Sequence, residues 1–322
     1  MIVEAQRLVA AYGQKGYQLA KKSIREDALL VGPVAGVVCF FIDDSWANVQ
    51  HPALVSLACE SVGGDGELPD EVGAALVLLT GAADIHDDII DKSTVKFGKP
   101  TAFGKFNPDQ VLLAGDILLL KALTLLNNAT EKLAPNTRPA IRNTIEQAFV
   151  EIACATAQER LYKGNLSLEP EKYREIIFAK GSVSDAFARV GGIIGGGNAR
   201  EIAALGHFGR TLSVLMSLRS EFVDLANVQE LQNRAKNEVL PLPLLCAMQN
   251  KAVKPELLAL LKGKITVKKT EKIMDLVLPT KEVEAIKLEM RMLAKREETG
   301  LKTLKFNGEA FQMLLDVAVQ GL

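Results

Sequence analysis

A helical repeat governs this chain. Residues recur on one helical face at steps of three, four, seven and eight through long windows, as at Val77, Thr80, Gly81 and Asp84 or at Leu112, Leu119 and Leu120. No long window alternates with the period of two that a half-buried strand requires. The fold class that follows is all-α. Helix starts are marked by Pro69-Asp70-Glu71, Asn107-Pro108-Asp109 and Glu169-Pro170-Glu171, since the first turn tolerates a missing N–H and favours negative charge. Stops stand at Gly63-Gly64-Asp65-Gly66, Lys163-Gly164-Asn165 and Gly195-Gly196-Gly197-Asn198, where residues tolerant of positive φ follow apolar stretches. Together these signals predict helices over 2–22, 26–43, 50–62, 70–91, 107–128, 136–163, 169–195 and 199–232, then shorter ones from 240 onward. Several are apolar on most faces, which places them at the centre of a bundle.

No Ser-, Gly- or charge-rich linker divides the 322 residues, so a single domain over 1–322 is expected. Hydrophobic residues at 48% against 24% charged supply a core and exclude bulk disorder. With 38 basic and 39 acidic residues the net charge is −1, which offers no overall field to nucleic acid or an anionic membrane. An anionic ligand must therefore be held locally. Cys39, Cys59, Cys154 and Cys246 lie in apolar stretches without CxxC spacing, as buried thiols in a reducing, cytoplasmic setting would. The apolar run Ala28 to Ile42 falls short of the ~20 residues that span a bilayer and contains Gly32-Pro33. It reads as a buried helix. The N-terminus lacks the charged and apolar regions of a signal peptide.

The feature that points to chemistry is Asp87-Asp88-Ile89-Ile90-Asp91. Asp87 and Asp91 share a helical face and Asp88 points beside them, so three carboxylates crowd one helix end. Hard oxygen ligands at this spacing suit magnesium, which binds through one or two carboxylates together with phosphate oxygens. Taken alone, the cluster also reads as a solvated helix end. The loop from Lys92 to Phe106 follows immediately, in a position from which loops close over sites.

The surrounding residues resemble the polyprenyl synthetase family, the trans-isoprenyl diphosphate synthases. His86-Asp87-Asp88-Ile89-Ile90-Asp91 is similar to its first aspartate-rich motif, Gly98-Lys99-Pro100-Thr101 to the following GxPT, and Leu113-Ala114-Gly115-Asp116 to LAGD. Lys180 stands at the KT lysine and Leu240-Pro241-Leu242-Pro243-Leu244 at the proline segment after the second acidic region. The resemblance implies a bundle of long antiparallel helices around a deep central cavity, commonly a homodimer, that draws the diphosphate from an allylic prenyl diphosphate with Mg2+. On this basis Asp87, Asp88 and Asp91 are metal ligands and Lys180 contacts the allylic diphosphate. Lys96 and Lys99 follow as substrate contacts, as do Gln158, from a polar pair with Glu159, and Lys236. Ala82 and Ala83, small where short-chain members carry aromatics, imply room for a long prenyl tail.

Two stretches depart from the family pattern. The second acidic region reads Ser220-Glu221-Phe222-Val223-Asp224, so its leading aspartate is a serine and only Glu221 and Asp224 remain as metal ligands. In the subsite for isopentenyl diphosphate, the expected lysine, arginine and histidine are Asn48, His51 and Thr80, and the Arg-Arg pair is Lys96-Phe97. Each lost charge-assisted contact to a diphosphate removes about 1.5–3 kcal/mol. Three functions stay open: a transferase with an acceptor site rebuilt from residues such as Lys99, Lys105 or His51; a lyase or cyclase needing no acceptor; and a non-catalytic subunit of a heteromer with an active synthase. Elsewhere, Trp46 reads as packing, Asp43-Asp44 as a surface helix end, His207 as a residue without a partner, and Arg234 as an exposed charge near the second region.

Overall fold

The computed structural model describes residues 1–96 and 98–321. They form an all-α bundle of long, largely antiparallel helices, as the helical repeat demands. The described residues gather into two compact units, each discontinuous in sequence. One comprises Met1–Thr144, Phe187–Gly206 and Leu304–Ala310, the other Ile145–Ala186, His207–Thr303 and Phe311–Leu322.

The first unit is organised on α4 (Leu68–Asp91), against which α1 (Ile2–Arg25), α3 (Gln50–Ser61) and α6 (Pro108–Thr130) pack. The run Val72 to Ala82 of α4 is buried without interruption, so this helix has no solvent stripe over its middle. Pro69 opens it with Asp70 and Glu71 in the first turn, and Lys92, in the left-handed region at φ 56°, closes it. Close approach of α6 is permitted by Gly115, where a Cβ would collide with the His86 imidazole and the Ile85 side chain. A two-residue hairpin, β1 (Val95–Lys96) with β2 (Lys99–Pro100), leads into α5 (Ala102–Lys105). Thr101 fastens this hairpin: its Oγ1 donates to Ser93 O at 2.6 Å and accepts from Gly104 N at 2.9 Å. The family-like GxPT stretch thus has a structural task of its own. Phe97 lies outside the described residues.

The apolar run Ala28 to Ile42 behaves differently from the buried helix expected. Its helix, α2 (Gly32–Phe40), starts late because Gly32 has φ +72° and Pro33 follows, and Leu29 is 90% exposed. It ends in a π-helical turn, Phe41–Ser45. Asp43 in that turn pairs with Lys21 at 2.8 Å and with Arg25 at 2.8 Å.

In the second unit the short α12 (Leu242–Ala247) is buried at every position and packs on α8 (Pro170–Lys180), α14 (Val267–Val277) and α15 (Lys281–Leu301). Further helices are α7 (Thr137–Leu161), α9 (Ser182–Ile194), α10 (Ala199–Ala226) and α11 (Val228–Asn237). Two expected continuous helices are broken. The span 169–195 divides at Gly181 into α8 and α9, and 199–232 divides where the Asn227 side chain accepts from Gln229 N and Glu230 N to start α11. The C-terminal region holds a long helix, α15, rather than short ones only. No helix among the described residues is long and apolar enough to cross a membrane.

Candidate functional site

The last turns of α4 carry the first acidic motif. Asp87 and Asp91 are half-buried and Asp88 is buried. The hairpin after α4 returns Lys96 to the cluster, with Nζ 2.6 Å from Asp88 Oδ1, an ion pair without hydrogen-bonding geometry. Burial raises the Asp88 carboxyl above its ordinary range, the Lys96 charge opposes this, and Asp87 adds to it. For Lys96 burial works against the charge, but Asp88, Asp87 and Asp84 outweigh it and raise the ammonium's pKa. His86 Nε2 lies 3.5 Å from Asp116 Oδ1 without a hydrogen bond, which sets the first motif beside the aspartate of Leu113-Ala114-Gly115-Asp116. Lys99, exposed on β2, lies 3.5 Å from the Asp44 carbonyl. Lys105 instead covers the Phe40 ring, 3.7 Å from its centroid. Ala82 is buried and Ala83 half-buried, one turn before the motif.

A fourth carboxylate belongs to this neighbourhood. Asp84 accepts from Trp46 Nε1 at 2.7 Å, and Trp46 stacks on Phe41 with centroids 5.1 Å apart. Burial pushes Asp84 up to about 6, against the opposing effects of the Trp46 hydrogen bond and the Lys96 charge. Trp46 therefore both packs, as expected, and holds an acid. The available signal was Asp84's spacing, three residues before Asp87 in an otherwise apolar run.

Asn48, His51 and Thr80 do come together. Asn48 Nδ2 is 2.6 Å from His51 Nδ1 and donates to Thr80 Oγ1 at 3.3 Å, while Asn48 Oδ1 accepts from His51 N at 3.1 Å. The His51 ring meets Phe187 edge-on at 5.1 Å. Burial lowers His51 to about 4, so at neutral pH this cluster carries no charge.

The second acidic region, in the other unit, has a different character. Glu221 is buried, with Oε1 accepting from Tyr173 OH at 2.9 Å and Oε2 from Leu242 N at 2.7 Å. Arg234, which the sequence suggested to be exposed, is buried among the acids: Nη2 donates to Glu221 Oε1 and Oε2 at 3.1 and 3.0 Å, and Nη1 to Asp224 Oδ2 at 2.6 Å. Ser220 is exposed. Lys180, at the end of α8, pairs with Glu159 of α7, while Gln158 and Lys236 are exposed. His207, expected to stand alone, has Nδ1 2.6 Å from Glu297 Oε1. Tyr173 and Arg234 were missed as members of this cluster. Tyr173 shares a face of α8 with Lys180 by helical spacing, but Arg234 reaches Asp224 only because the chain turns at Asn227.

Among the described residues, no three His, Cys, Asp or Glu side chains converge as a ready-made metal site. The first motif nevertheless fits magnesium as part of a shell. Its donors are hard carboxylate oxygens, and Asp88 Oδ1 is a buried acceptor already facing a cation. Water or the oxygens of a bound anion would complete such a shell.

The bundle of long, largely antiparallel helices is of the isoprenoid-synthase type. The polyprenyl synthetase family model matches residues 50–277, and the chain belongs to that family. A short chain isoprenyl diphosphate synthase from Methanothermobacter thermautotrophicus is 30% identical over 182 residues, 56% of this chain and 55% of the relative. A geranylgeranyl diphosphate synthase from Sulfolobus acidocaldarius is 25% identical over 176 residues, 54% and 53% of the two chains. The chain spans about half the length of these curated relatives. Its fold is similar to that of geranylgeranyl pyrophosphate synthetase from Pyrococcus horikoshii, with TM-score 0.86, 21% identity, and coverage of 99% of this chain and 100% of that one. A polyprenyl synthase from Caulobacter crescentus, complexed with calcium and isoprenyl diphosphate, gives TM-score 0.82 at 21% identity, covering 98% and 97%.

Proposed function

We propose that this protein is a magnesium-dependent prenyltransferase-type enzyme that ionises an allylic prenyl diphosphate at the first acidic motif, with an acceptor that carries no diphosphate. The observation that carries the reading is the intact carboxylate set on α4 with Lys96 paired to Asp88 at 2.6 Å. Asp87, Asp88 and Asp91 would hold Mg2+, which when bound neutralises charge developing on the departing diphosphate. Lys96 and Lys99 add fixed positive charge on the hairpin. Lys96 is half-exposed, so its ammonium can turn to a diphosphate oxygen, while Mg2+ on the same carboxylates would keep the buried Asp88 from being left unpaired. Ionisation breaks the allylic C–O bond, and the electron pair leaves with the diphosphate. The allylic cation is then quenched by an acceptor's electrons, with loss of a proton. The neutral Asn48–His51–Thr80 cluster argues against an anionic acceptor at that position, because a diphosphate placed there would lose hydration without gaining a counter-charge.

The test is diphosphate release from farnesyl or geranylgeranyl diphosphate with Mg2+, run with and without isopentenyl diphosphate. Release that is lost in Asp87→Asn/Asp91→Asn and indifferent to isopentenyl diphosphate supports the reading, and the organic product then separates transferase from lyase. Dependence on isopentenyl diphosphate returns the protein to the chain-elongating enzymes. Absence of release favours the second reading, a non-catalytic subunit paired with an active synthase, which the engagement of Glu221 and Asp224 by Arg234 favours. The homodimer implied by family membership has a suitable surface in Leu112, Leu113, Leu120 and Leu123, all exposed on α6. Sedimentation equilibrium tests it.

A further inference from the structure

We infer that Arg234 is the resident cation of the second acidic region, a built-in guanidinium that stands where a divalent ion would otherwise be needed, so that this region takes up no exchangeable metal. Arg234 is surrounded on every donor edge. Nε donates to Val239 O at 2.6 Å and is 3.3 Å from Glu238 Oε2, Nη1 donates to Asp224 Oδ2 at 2.6 Å, and Nη2 donates to Tyr173 OH at 2.7 Å and to both oxygens of Glu221. Glu221 is equally engaged, by Arg234, Tyr173 OH and Leu242 N. Burial opposes the Arg234 charge, but Glu221, Tyr173, Glu238 and Asp224 outweigh it and hold the guanidinium charged.

This arrangement does not fit magnesium. Mg2+ demands near-octahedral oxygen ligands at about 2.0–2.1 Å, whereas Glu221 already directs its oxygens at N–H and O–H donors. A divalent ion would also face the guanidinium across a buried, low-dielectric space. With Ser220 neutral and exposed, the region offers fewer carboxylates, and a single fixed positive charge with a fork of N–H groups matches what remains. The same contacts pin the turn from Glu238 to Leu242 that opens α12. A region that would bind exchangeable metal becomes a structural anchor, and metal uptake falls to the first motif alone. That last clause rests on the proposed reading; the anchor itself does not.

The test uses Mn2+ as a spectroscopic stand-in for Mg2+, counting bound ions by electron paramagnetic resonance and following the melting temperature. Without any diphosphate, wild type is expected to show no melting shift with Mn2+. Arg234→Gln should melt lower, then gain one bound ion per chain and recover part of the loss when Mn2+ is added. Adding Asp224→Asn to Arg234→Gln should remove both gains. Arg234→Gln that folds but gains no ion overturns the inference. Should that variant fail to fold, wild-type uptake with inorganic pyrophosphate decides: Asp224→Asn is expected to leave the ion count unchanged, and loss of an ion overturns the proposal. Asp87→Asn in the same assay reports on the first motif, so failure of the functional reading and failure of this inference give different patterns.

Discussion

The two acidic regions carry similar charges and treat them in opposite ways. At the first motif the cation is Lys96, whose side chain is 41% exposed on a short hairpin, so its pairing with Asp88 can be exchanged for another partner. At the second the cation is Arg234, whose side chain is 7% exposed and whose partners Glu221 and Tyr173 are themselves buried. Exposed pairs contribute about 0–1 kcal/mol, whereas removing one partner of a buried pair costs about 3–5 kcal/mol. The two regions therefore differ in the burial of the counter-ion rather than in the presence of acids, and on the proposed reading that difference is what leaves the first one open to a ligand.

The most direct way to break this comparison is to remove each cation in turn. Arg234→Met should lower unfolding free energy by about 3–5 kcal/mol, since it strands Glu221 and Asp224, while Lys96→Met strands only Asp88, a carboxyl that burial already inclines to take up a proton, and should cost roughly half as much or less. Urea denaturation of both variants checks the ratio. Equal losses would show that the hairpin lysine is as structural as the buried arginine.

The sequence made the first region legible and the second only in part, for a reason that lies in backbone path. Asp87, Asp88 and Asp91 share one helix, so spacing alone brings them together, and Lys96 follows within a hairpin whose turn is announced by Gly98 at φ +74°. Arg234 meets Asp224 because a side-chain cap at Asn227 redirects the chain, and helical periodicity, which ran through to 232, cannot register such a reversal. Tyr173 and Leu242 come from distant elements, and their contact with Glu221 has no local sequence signal. The Asn48–His51–Thr80 cluster was anticipated as a place by resemblance, but its closure by internal hydrogen bonds required the packing of α3 on α4.

A second separation concerns ligand-linked stability. Magnesium with a prenyl diphosphate should stabilise wild type by about 2.7 kcal/mol at a hundredfold excess over Kd. Magnesium alone should do little, because the first motif is an incomplete shell. Asp87→Asn/Asp91→Asn should abolish the joint effect. Differential scanning fluorimetry checks this, and an equal shift in the double variant would remove the first motif from the site.

Within the first unit, pH divides two groups that lie near the motif. Asp84 is held at about 6 against an ordinary 3.8, so its contribution is full below 3.8 and is lost as pH rises through 6. His51 is held at about 4 against 6.5, so its contribution is full above 6.5 and is lost as pH falls toward 4. Asp84→Asn should therefore stabilise the protein at pH 7 by about 1–2 kcal/mol after allowance for partial exposure, with the advantage vanishing near pH 4. His51→Gln should flatten the acid side of the profile by a similar amount. Stability measured from pH 4 to 8 in both variants gives curves that bend in opposite directions; parallel curves would mean that neither side chain is desolvated as the structure places it.

The smallest expected effect lies in the neutral cluster, and it asks whether charge alone distinguishes it from a diphosphate subsite. Asn48 and Thr80 are buried and mutually hydrogen-bonded, so a cation placed there has no counter-ion until a diphosphate arrives. Asn48→Lys with His51→Arg introduces two such cations and breaks the Asn48–His51 contact, so the free protein should lose stability. In the free protein the two cations turn away from each other toward solvent, so part of the ligand's binding energy goes into drawing them back and desolvating them. The net gain in affinity for isopentenyl diphosphate should accordingly be about tenfold, roughly 1.4 kcal/mol, well below the sum of two charge-assisted contacts. Wild type should bind the same ligand weakly and with steep salt dependence, since only screened, exposed lysines attract it. Isothermal titration of both proteins at two ionic strengths checks each point. Tight binding by wild type would show that residues outside this cluster hold the second diphosphate, and an unchanged affinity in the double variant would show that the cluster does not face that ligand at all.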